Sequence, residues 1–188
     1  MLSFPLPTAD TAPGSAGATL TAVEKAWGFA PHLMRTFANS PAVVEGAWAM
    51  LGAFSRTSFS PAEQQLIALA VSVENDCRYC AAAHSLMGRG AGLSEADLDA
   101  LRRQRPLADP RAEALRSFIT ALVRQRGAVP QSEVQAFLAA GFSPVQVLEA
   151  VLGVAVKTLM NYTDQLAAVE LDTAFQARAW TPALKQAA

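Results

Sequence analysis

The sequence predicts an all-α protein, a bundle of several helices. Serine or aspartate followed by proline begins several of its apolar stretches, and this pairing of an N-cap with a proline at the first helical position is typical of helix starts. Glycine ends other stretches, as at helix C-termini. Strand-like alternation between turns is absent. The serine–proline or aspartate–proline pairs begin at Ser40, Ser60, Asp109 and Ser143.

The first half of the chain contains five predicted helices. Gly28 ends the first and Pro31 begins the second. The fourth begins at Ser60-Pro61, where Glu63 completes a capping-box pattern. The predicted segments are 20–27, 31–39, 41–56, a helix from 61 that contains the apolar run 66–73, and 76–87.

The second half contains five more predicted helices. Ser94 with Asp97 repeats the capping pattern, and Gly127 and Gly141 close two of the segments. The predicted segments are 94–103, 109–126, 130–140, 143–168 and 171–179.

Length and composition predict one domain with a sizeable core. The chain has 188 residues, of which 52% are hydrophobic, and this is the usual size of a single domain. An irregular arm at 1–19, a helical domain at 20–180 and a short tail at 181–188 are expected. The arm is rich in Pro, Gly, Ala, Ser and Thr, and it is either a frayed tail or a segment that packs on a neighbouring molecule.

The net charge and the distribution of apolar residues argue against nucleic acid and membranes as partners. The net charge is −1, which gives no electrostatic reason to bind nucleic acid or an anionic membrane. The first residues lack the basic and apolar regions of a signal peptide, and no apolar run reaches the ~20 residues of a membrane span. Two cysteines do not form a secreted disulfide framework. The expected location is the cytoplasm.

The chemistry-bearing residues gather in one stretch. Cys77 and Cys80 are the only cysteines, and His84 is one of two histidines. If Cys77 opens a helix, with Asn75 or Asp76 as its cap, all three side chains fall within about 60° on one face. A thiolate near a helix N-terminus or an imidazole has a lowered pKa and is the reactive form.

Three interpretations of this stretch remain open from the residues alone. The favoured one is a redox-active dithiol. The second is a zinc site, for which Cys77, Cys80, His84 and the distant His32 are the only soft ligands. The third is a pair of buried structural cysteines with a satisfied histidine.

The same residues resemble a known family. A CxxC followed by histidine four residues later, after a helix that begins SPAEQQLIALAVS, is similar to the core of AhpD-like alkylhydroperoxidases in the carboxymuconolactone decarboxylase superfamily. Segments 28–41 and 161–172 are similar to parts of its peroxidase-related branch. The resemblance covers roughly 4–180 and implies an AhpD-like multi-helix bundle.

Two positions depart from the family pattern. The relay glutamate, twelve residues before the first cysteine, is replaced by Gln65, and the histidine before the second cysteine is replaced by Tyr79. Glu74 is one of the nearest acids. Gln65, Glu74 and Tyr79 are therefore candidates for completing the relay.

The resemblance implies a function with assigned roles. Cys80 would attack an organic or hydrogen peroxide, Cys77 would resolve the sulfenic acid as a disulfide, and His84 would act as the base. An external dithiol would reduce the disulfide, with no metal or organic cofactor. The alternatives are a redox-sensing or stress-linked interaction module, and a carboxymuconolactone decarboxylase-type enzyme, although proper lactone decarboxylases lack the CxxC.

Two further expectations concern the helix from Ser143. Its start, Phe142-Ser143-Pro144, echoes Phe59-Ser60-Pro61. The echo is explained either by the general likeness of capped aliphatic helices, which is slightly favoured, or by an internal repeat of a helical hairpin. The polar residues of the helix share one narrow stripe, and the rest is almost entirely apolar. A surface helix of a monomer has a broad polar face, so a homo-oligomer is expected, and the resemblance implies a trimer or hexamer. The stripe consists of Gln146, Glu149, Gly153 and Lys157.

Overall fold

The computed structural model describes residues 2–182, and within that range every regular element is helical. This confirms the predicted all-α class. The described range contains nine α-helices followed by a 3₁₀ helix at Thr173–Arg178. The α-helices are α1 (Ala16–Trp27), α2 (His32–Phe37), α3 (Pro41–Phe54), α4 (Pro61–Glu74), α5 (Arg78–Gly90), α6 (Glu95–Arg102), α7 (Pro110–Arg124), α8 (Gln131–Ala139) and α9 (Pro144–Ala167).

Several boundaries differ from the sequence prediction. Helix α1 begins at Ala16, four residues earlier than expected, and the last predicted helix is a 3₁₀ helix. Helix α5 begins at Arg78, so neither Asn75 nor Asp76 caps it; Cys77 itself is the N-cap. Most of the predicted tail, residues 183–188, lies outside the described residues.

Helix α4 is the centre of the bundle. A complete capping box at Ser60 and Glu63 starts it, which satisfies backbone N–H groups that have no partner within the helix. All eight residues from Leu66 to Val73 are buried. The helix contacts α5, α6, α7 and α9, so the apolar run lies where every face meets another helix.

Two apolar clusters fill the interior of the described chain. The larger joins α4 to α6, α7, α8 and α9, and includes a stack of the Phe118, Phe137 and Phe142 rings. The smaller lies among α1, α2, α3 and α5, and includes Cys77, Tyr79 and Cys80. The dithiol therefore belongs to a packed interior.

Helix α9 turns its polar stripe inward. Gln146, Gly153 and Lys157 are buried, whereas Val145 and Leu148 are 60% and 72% exposed. A Cβ on Gly153 would lie 2.7 Å from the Phe54 ring, so the glycine allows close approach to α3. The polar stripe of this apolar helix therefore faces mainly the interior of the bundle.

The two segments that echo each other are in contact. Helices α4 and α9 each begin with a complete capping box. The Phe59 and Phe142 rings that precede them lie 6.1 Å apart. The sequence echo therefore corresponds to two similarly capped helices that meet at their N-terminal ends.

The N-terminal arm packs against its own chain. The Arg35 guanidinium donates to backbone carbonyls of Leu6 and Pro7, and the Asn39 amide donates to the Pro5 carbonyl at 2.8 Å.

The described residues contain no single helix that is long and apolar enough to cross a bilayer. Only α8 and α9 taken together reach that length and apolar character, and they are bent by 113° relative to each other.

Candidate active site

The dithiol lies at the turn between α4 and α5. Asn75 ends α4, and Asp76 adopts a left-handed conformation with φ +53°, which aspartate tolerates better than most residues. This sharp turn places Cys77 at the N-cap of α5. Its Sγ accepts the Cys80 backbone N–H at 3.3 Å, so both sulfur atoms lie in the first turn of one helix.

Cys77 is held as a protonated thiol. It is fully buried, and its Sγ–H donates to Oδ2 of Asp164 at 3.2 Å. Interaction with Cys80, burial and the Asp164 charge all raise the pKa of Cys77. Desolvation raises the pKa of Asp164 as well, against the hydrogen bond from Cys77.

Cys80 has a lowered pKa, in contrast to Cys77. Burial by itself would raise the pKa of Cys80, but interaction with the Cys77 thiol, the positive charge of Lys157 and a polar contact with Asn161 outweigh it and lower the pKa to about 7. A substantial fraction of Cys80 is therefore a thiolate near neutral pH. The pair thus offers one nucleophilic sulfur beside one protonated sulfur.

His84 lies one helical turn after Cys80. Burial, aided by the charge of Lys157, lowers the pKa of His84 well below its usual range, so the imidazole is neutral. Its Nδ1 lies 2.8 Å from Oε1 of Gln65 on α4. Because an amide oxygen can only accept a hydrogen bond, Nδ1 carries the proton and Nε2 is left as a free base.

Two other relay candidates have different partners. The Glu74 carboxylate accepts two hydrogen bonds from Arg124, at 2.8 and 3.0 Å. The Tyr79 hydroxyl donates to Asp172, and burial with this bond raises the pKa of Tyr79. Of the three candidates, Gln65 is the one that the structure brings to His84.

His32 lies with Asp172 rather than with the dithiol. Its Nδ1 is 3.0 Å from the Glu170 carbonyl, and its Nε2 is 3.7 Å from Asp172 Oδ1. Across the part of the chain that the structure describes, no three His, Cys, Asp and Glu side chains are grouped so as to hold a metal ion. Within these residues, the ligand set of the zinc interpretation is not assembled.

Helix α9 supplies site residues that the sequence interpretation missed. Asp164 binds Cys77, and the Asn161 amide group donates to Ser72 and accepts from Asn75. With Lys157, these residues continue the polar stripe at spacings of four and three. The spacing was a usable signal, but only the packing of α9 on α4 and α5 shows that the stripe faces the cysteines.

A cavity of about 460 Å³ adjoins the site. Its wall includes Asp164 and Tyr79, which contact or flank the cysteines, together with Arg78, Gln165 and Trp180. Both polar and apolar groups therefore face the space beside the start of α5.

Comparison with known proteins finds a family model that matches part of the chain. Residues 41–121, which contain α3, α4 and the dithiol, match the model of the carboxymuconolactone decarboxylase family. No curated protein matches the chain.

Solved structures share the fold over nearly the whole chain. A peroxidase-related protein with an alkylhydroperoxidase AhpD core, from Ralstonia eutropha JMP134, has 20% identity and a TM-score of 0.83 over 96% of this chain and 97% of that one. A peroxidase-related protein from Silicibacter sp. TM1040 has 19% identity and a TM-score of 0.80 over 94% of both chains.

A third structure is the debrominase Bmp8 with a C82A substitution and bound 2,3,4-tribromopyrrole, with 15% identity and a TM-score of 0.79 over 95% of both chains. These likenesses, all at 20% identity or less, show a shared fold. The family-model match around the dithiol and the shared fold make this chain similar to AhpD-like proteins of the carboxymuconolactone decarboxylase superfamily.

Proposed function

We propose that this protein is a thiol-dependent peroxidase that reduces organic hydroperoxides or hydrogen peroxide through its CxxC dithiol. The observation that supports the proposal is the unequal pair of sulfur atoms. Cys80 has a pKa of about 7, and Cys77 beside it keeps its proton. A nucleophilic thiolate next to a protonated resolving thiol is the arrangement that such a cycle needs.

The first step is attack of the Cys80 thiolate on a peroxide oxygen. The O–O bond breaks, the sulfur is oxidised by two electrons to a sulfenic acid, and the leaving alkoxide takes up one proton to become an alcohol or water. Neutral His84 takes the proton of Cys80 when the thiol form binds peroxide, and can return it to the leaving oxygen. The Gln65 hydrogen bond keeps Nε2 of His84 in the basic form.

The second step closes a disulfide. The Cys77 sulfur attacks the Cys80 sulfenic acid, the S–OH bond breaks, and hydroxide leaves as water with the Cys77 proton. An external dithiol then returns both cysteines to thiols by exchange and leaves as its own disulfide. This proposed cycle uses no metal and no organic cofactor.

Titration with one equivalent of cumene hydroperoxide tests the proposal. Free thiols should fall from two to none per chain, with a mass loss of two hydrogens that dithiothreitol reverses. Cys80→Ser should consume no peroxide, whereas Cys77→Ser should consume one equivalent and hold a sulfenic acid that dimedone traps. Two free thiols left in wild-type protein after this treatment would refute the proposal.

One observation favours a second candidate, a redox-sensing module. Both sulfur atoms are buried, so access for a reducing partner is narrow. A sensor would form the disulfide once and would not turn over. Steady-state peroxide consumption with dithiothreitol as reductant separates the two, because a peroxidase performs many turnovers per chain.

A further inference from the structure

Lys157 is a buried cation whose polar contacts among the described residues are weak. Its side chain is 2% exposed, and its Nζ contacts Sδ of Met160 at 3.3 Å. A thioether is a weak acceptor. None of the ion pairs among described side chains includes Lys157. Burying an ammonium group without an anion is strongly unfavourable, so this lysine requires a negative partner that the ordinary ion pairs do not provide.

The position of Lys157 on α9 indicates that partner. Lys157, Asn161 and Asp164 are spaced by four and three residues, so they lie on one face of the helix. Asp164 binds the Cys77 thiol, and Asn161 contacts the end of α4 just before the dithiol. Lys157, at the start of this stripe, faces the same interior, and its charge acts on both Cys80 and His84.

We propose that Lys157 is the counter-ion of the Cys80 thiolate, and that Asp164 holds the proton on Cys77, so that α9 assigns the two cysteines their different roles. Both are positioning residues that act through the sulfur atoms. The inference deepens the proposed function and rests on its thiol chemistry.

The neighbours of Cys80 support this assignment. The titratable groups around it are Cys77, Tyr79 and His84 on α5, and Lys157 and Asp164 on α9. The pKa of Tyr79 is raised and that of His84 is lowered, so both are neutral near pH 7. Lys157 is the one cation of the five. The helix N-terminus lies beside both sulfur atoms, so the opposite charges of Lys157 and Asp164 on α9 add to the Cys77–Cys80 interaction in making the two thiols unequal.

Alkylation of the reduced protein tests the inference without peroxide. The rate of reaction with iodoacetamide is measured from pH 5 to 10, and mass spectrometry locates the modified cysteine. Wild-type Cys80 should react with a midpoint near pH 7. Lys157→Met should raise the midpoint by at least one unit, which slows alkylation at pH 7 by about fivefold or more. Lys157→Arg keeps the charge and should stay near wild type.

Asp164→Asn is the matched control, because it removes a negative charge from the same face of α9. Removal of the carboxylate should lower the pKa of Cys77 and speed its alkylation, and should not raise the Cys80 midpoint. Equal midpoints in wild type and Lys157→Met would overturn the inference. An upward shift of equal size in Asp164→Asn would also overturn it, because lost packing rather than lost charge would then be the cause.

The result is separable from the peroxidase assay. If Lys157→Met raises the midpoint of Cys80 alkylation but wild type consumes no peroxide, the counter-ion inference is supported and the proposed function is refuted. If wild type consumes peroxide while the midpoint of Cys80 alkylation does not depend on Lys157, the proposed function is supported and the counter-ion inference is refuted.

Discussion

Nδ1 of His84 lies 2.8 Å from Oε1 of Gln65, which comes nineteen residues earlier in the chain and belongs to the adjacent helix. The amide occupies the position where the resembled family has a carboxylate. An amide oxygen accepts the Nδ1 proton as a carboxylate would, but carries no charge to stabilise an imidazolium. Gln65 therefore orients a neutral base and does not strengthen it.

The His84→Ala variant should lose most of the proposed peroxidase turnover. A positioned base contributes about 10²–10⁴-fold, and the other side chains of the dithiol remain in place. Turnover with cumene hydroperoxide and dithiothreitol measures the loss, and circular dichroism checks that the helices are intact. Unchanged turnover would assign His84 a purely structural role.

The Gln65→Glu variant is the gain-of-function companion. A carboxylate on Nδ1 raises the pKa of His84, because an opposite charge favours the imidazolium. Stronger basicity at Nε2 should raise turnover. Gln65→Leu, which removes the hydrogen bond without adding charge, should lower it. If Gln65→Glu is no faster than wild type, proton transfer through His84 does not limit the rate.

Burial of His84 predicts acid sensitivity of the fold. The folded-state pKa is well below 6.5, whereas the unfolded chain protonates its histidine near that pH. The unfolded state therefore binds more protons, and stability falls as pH drops below about 6.5, by up to about 1.4 kcal/mol per unit. Denaturant unfolding from pH 7.5 to 5 should show this slope in wild type and a smaller one in His84→Gln. Identical slopes would contradict it.

Gly153→Ala should destabilise the bundle by about 1–3 kcal/mol. The added Cβ would lie 2.7 Å from Cε2 of Phe54 and 2.9 Å from Cγ2 of Ile67, both in the core. Gly46→Ala on α3 is the matched control, since nothing lies within 4 Å of its Cβ position. That change should stabilise by about 0.5–1 kcal/mol through helix propensity. Thermal unfolding distinguishes them; equal effects would exclude tight packing at Gly153.

The exposed apolar face of α9 leads us to propose a homo-oligomer, with a second copy of this chain as its partner. Val145, Leu148 and Val151 are 60%, 72% and 48% exposed on one side of the helix, a surface that closed symmetric assemblies commonly bury. Light scattering should give a multiple of 19.8 kDa. Leu148→Glu should dissociate it, and Gln135→Glu, which adds the same charge on α8, should not. A wild-type mass near 19.8 kDa would contradict the proposal.

The sequence predicted the fold class because helix starts are encoded locally. Ser60, Ser94 and Ser143 each form the capping box that their spacing to the third helical residue indicates. Boundaries were less accurate where no such signal exists. Ala16 begins α1 after Ser15, which makes no side-chain cap, and the turn at Asp76 depends on packing between α4 and α5.

The candidate site was predicted only in part, for a physical reason. Cys77, Cys80 and His84 share one helix, so their spacing alone brings them together. Gln65 was marked by its offset from the cysteines. Lys157 and Asp164 lie about eighty residues later. Asp164 was not singled out, and Lys157 belonged to the predicted stripe, which was interpreted as the polar edge of a mostly covered helix. Its inward direction follows from the docking of α9, which no local pattern contains.

The delivery of Lys157 and Asp164 by α9 ties the reactivity of the thiols to a helix that is synthesised long after them. On the ribosome, α5 emerges long before α9, and until α9 docks the cysteines lack both their counter-ion and their proton holder. Nascent chains that stop before α9 should therefore have two thiols whose pKa values lie closer together than in the folded protein. Selective alkylation of Cys80 at neutral pH would consequently report the docking of α9, because Lys157 and Asp164 reach the thiols only then.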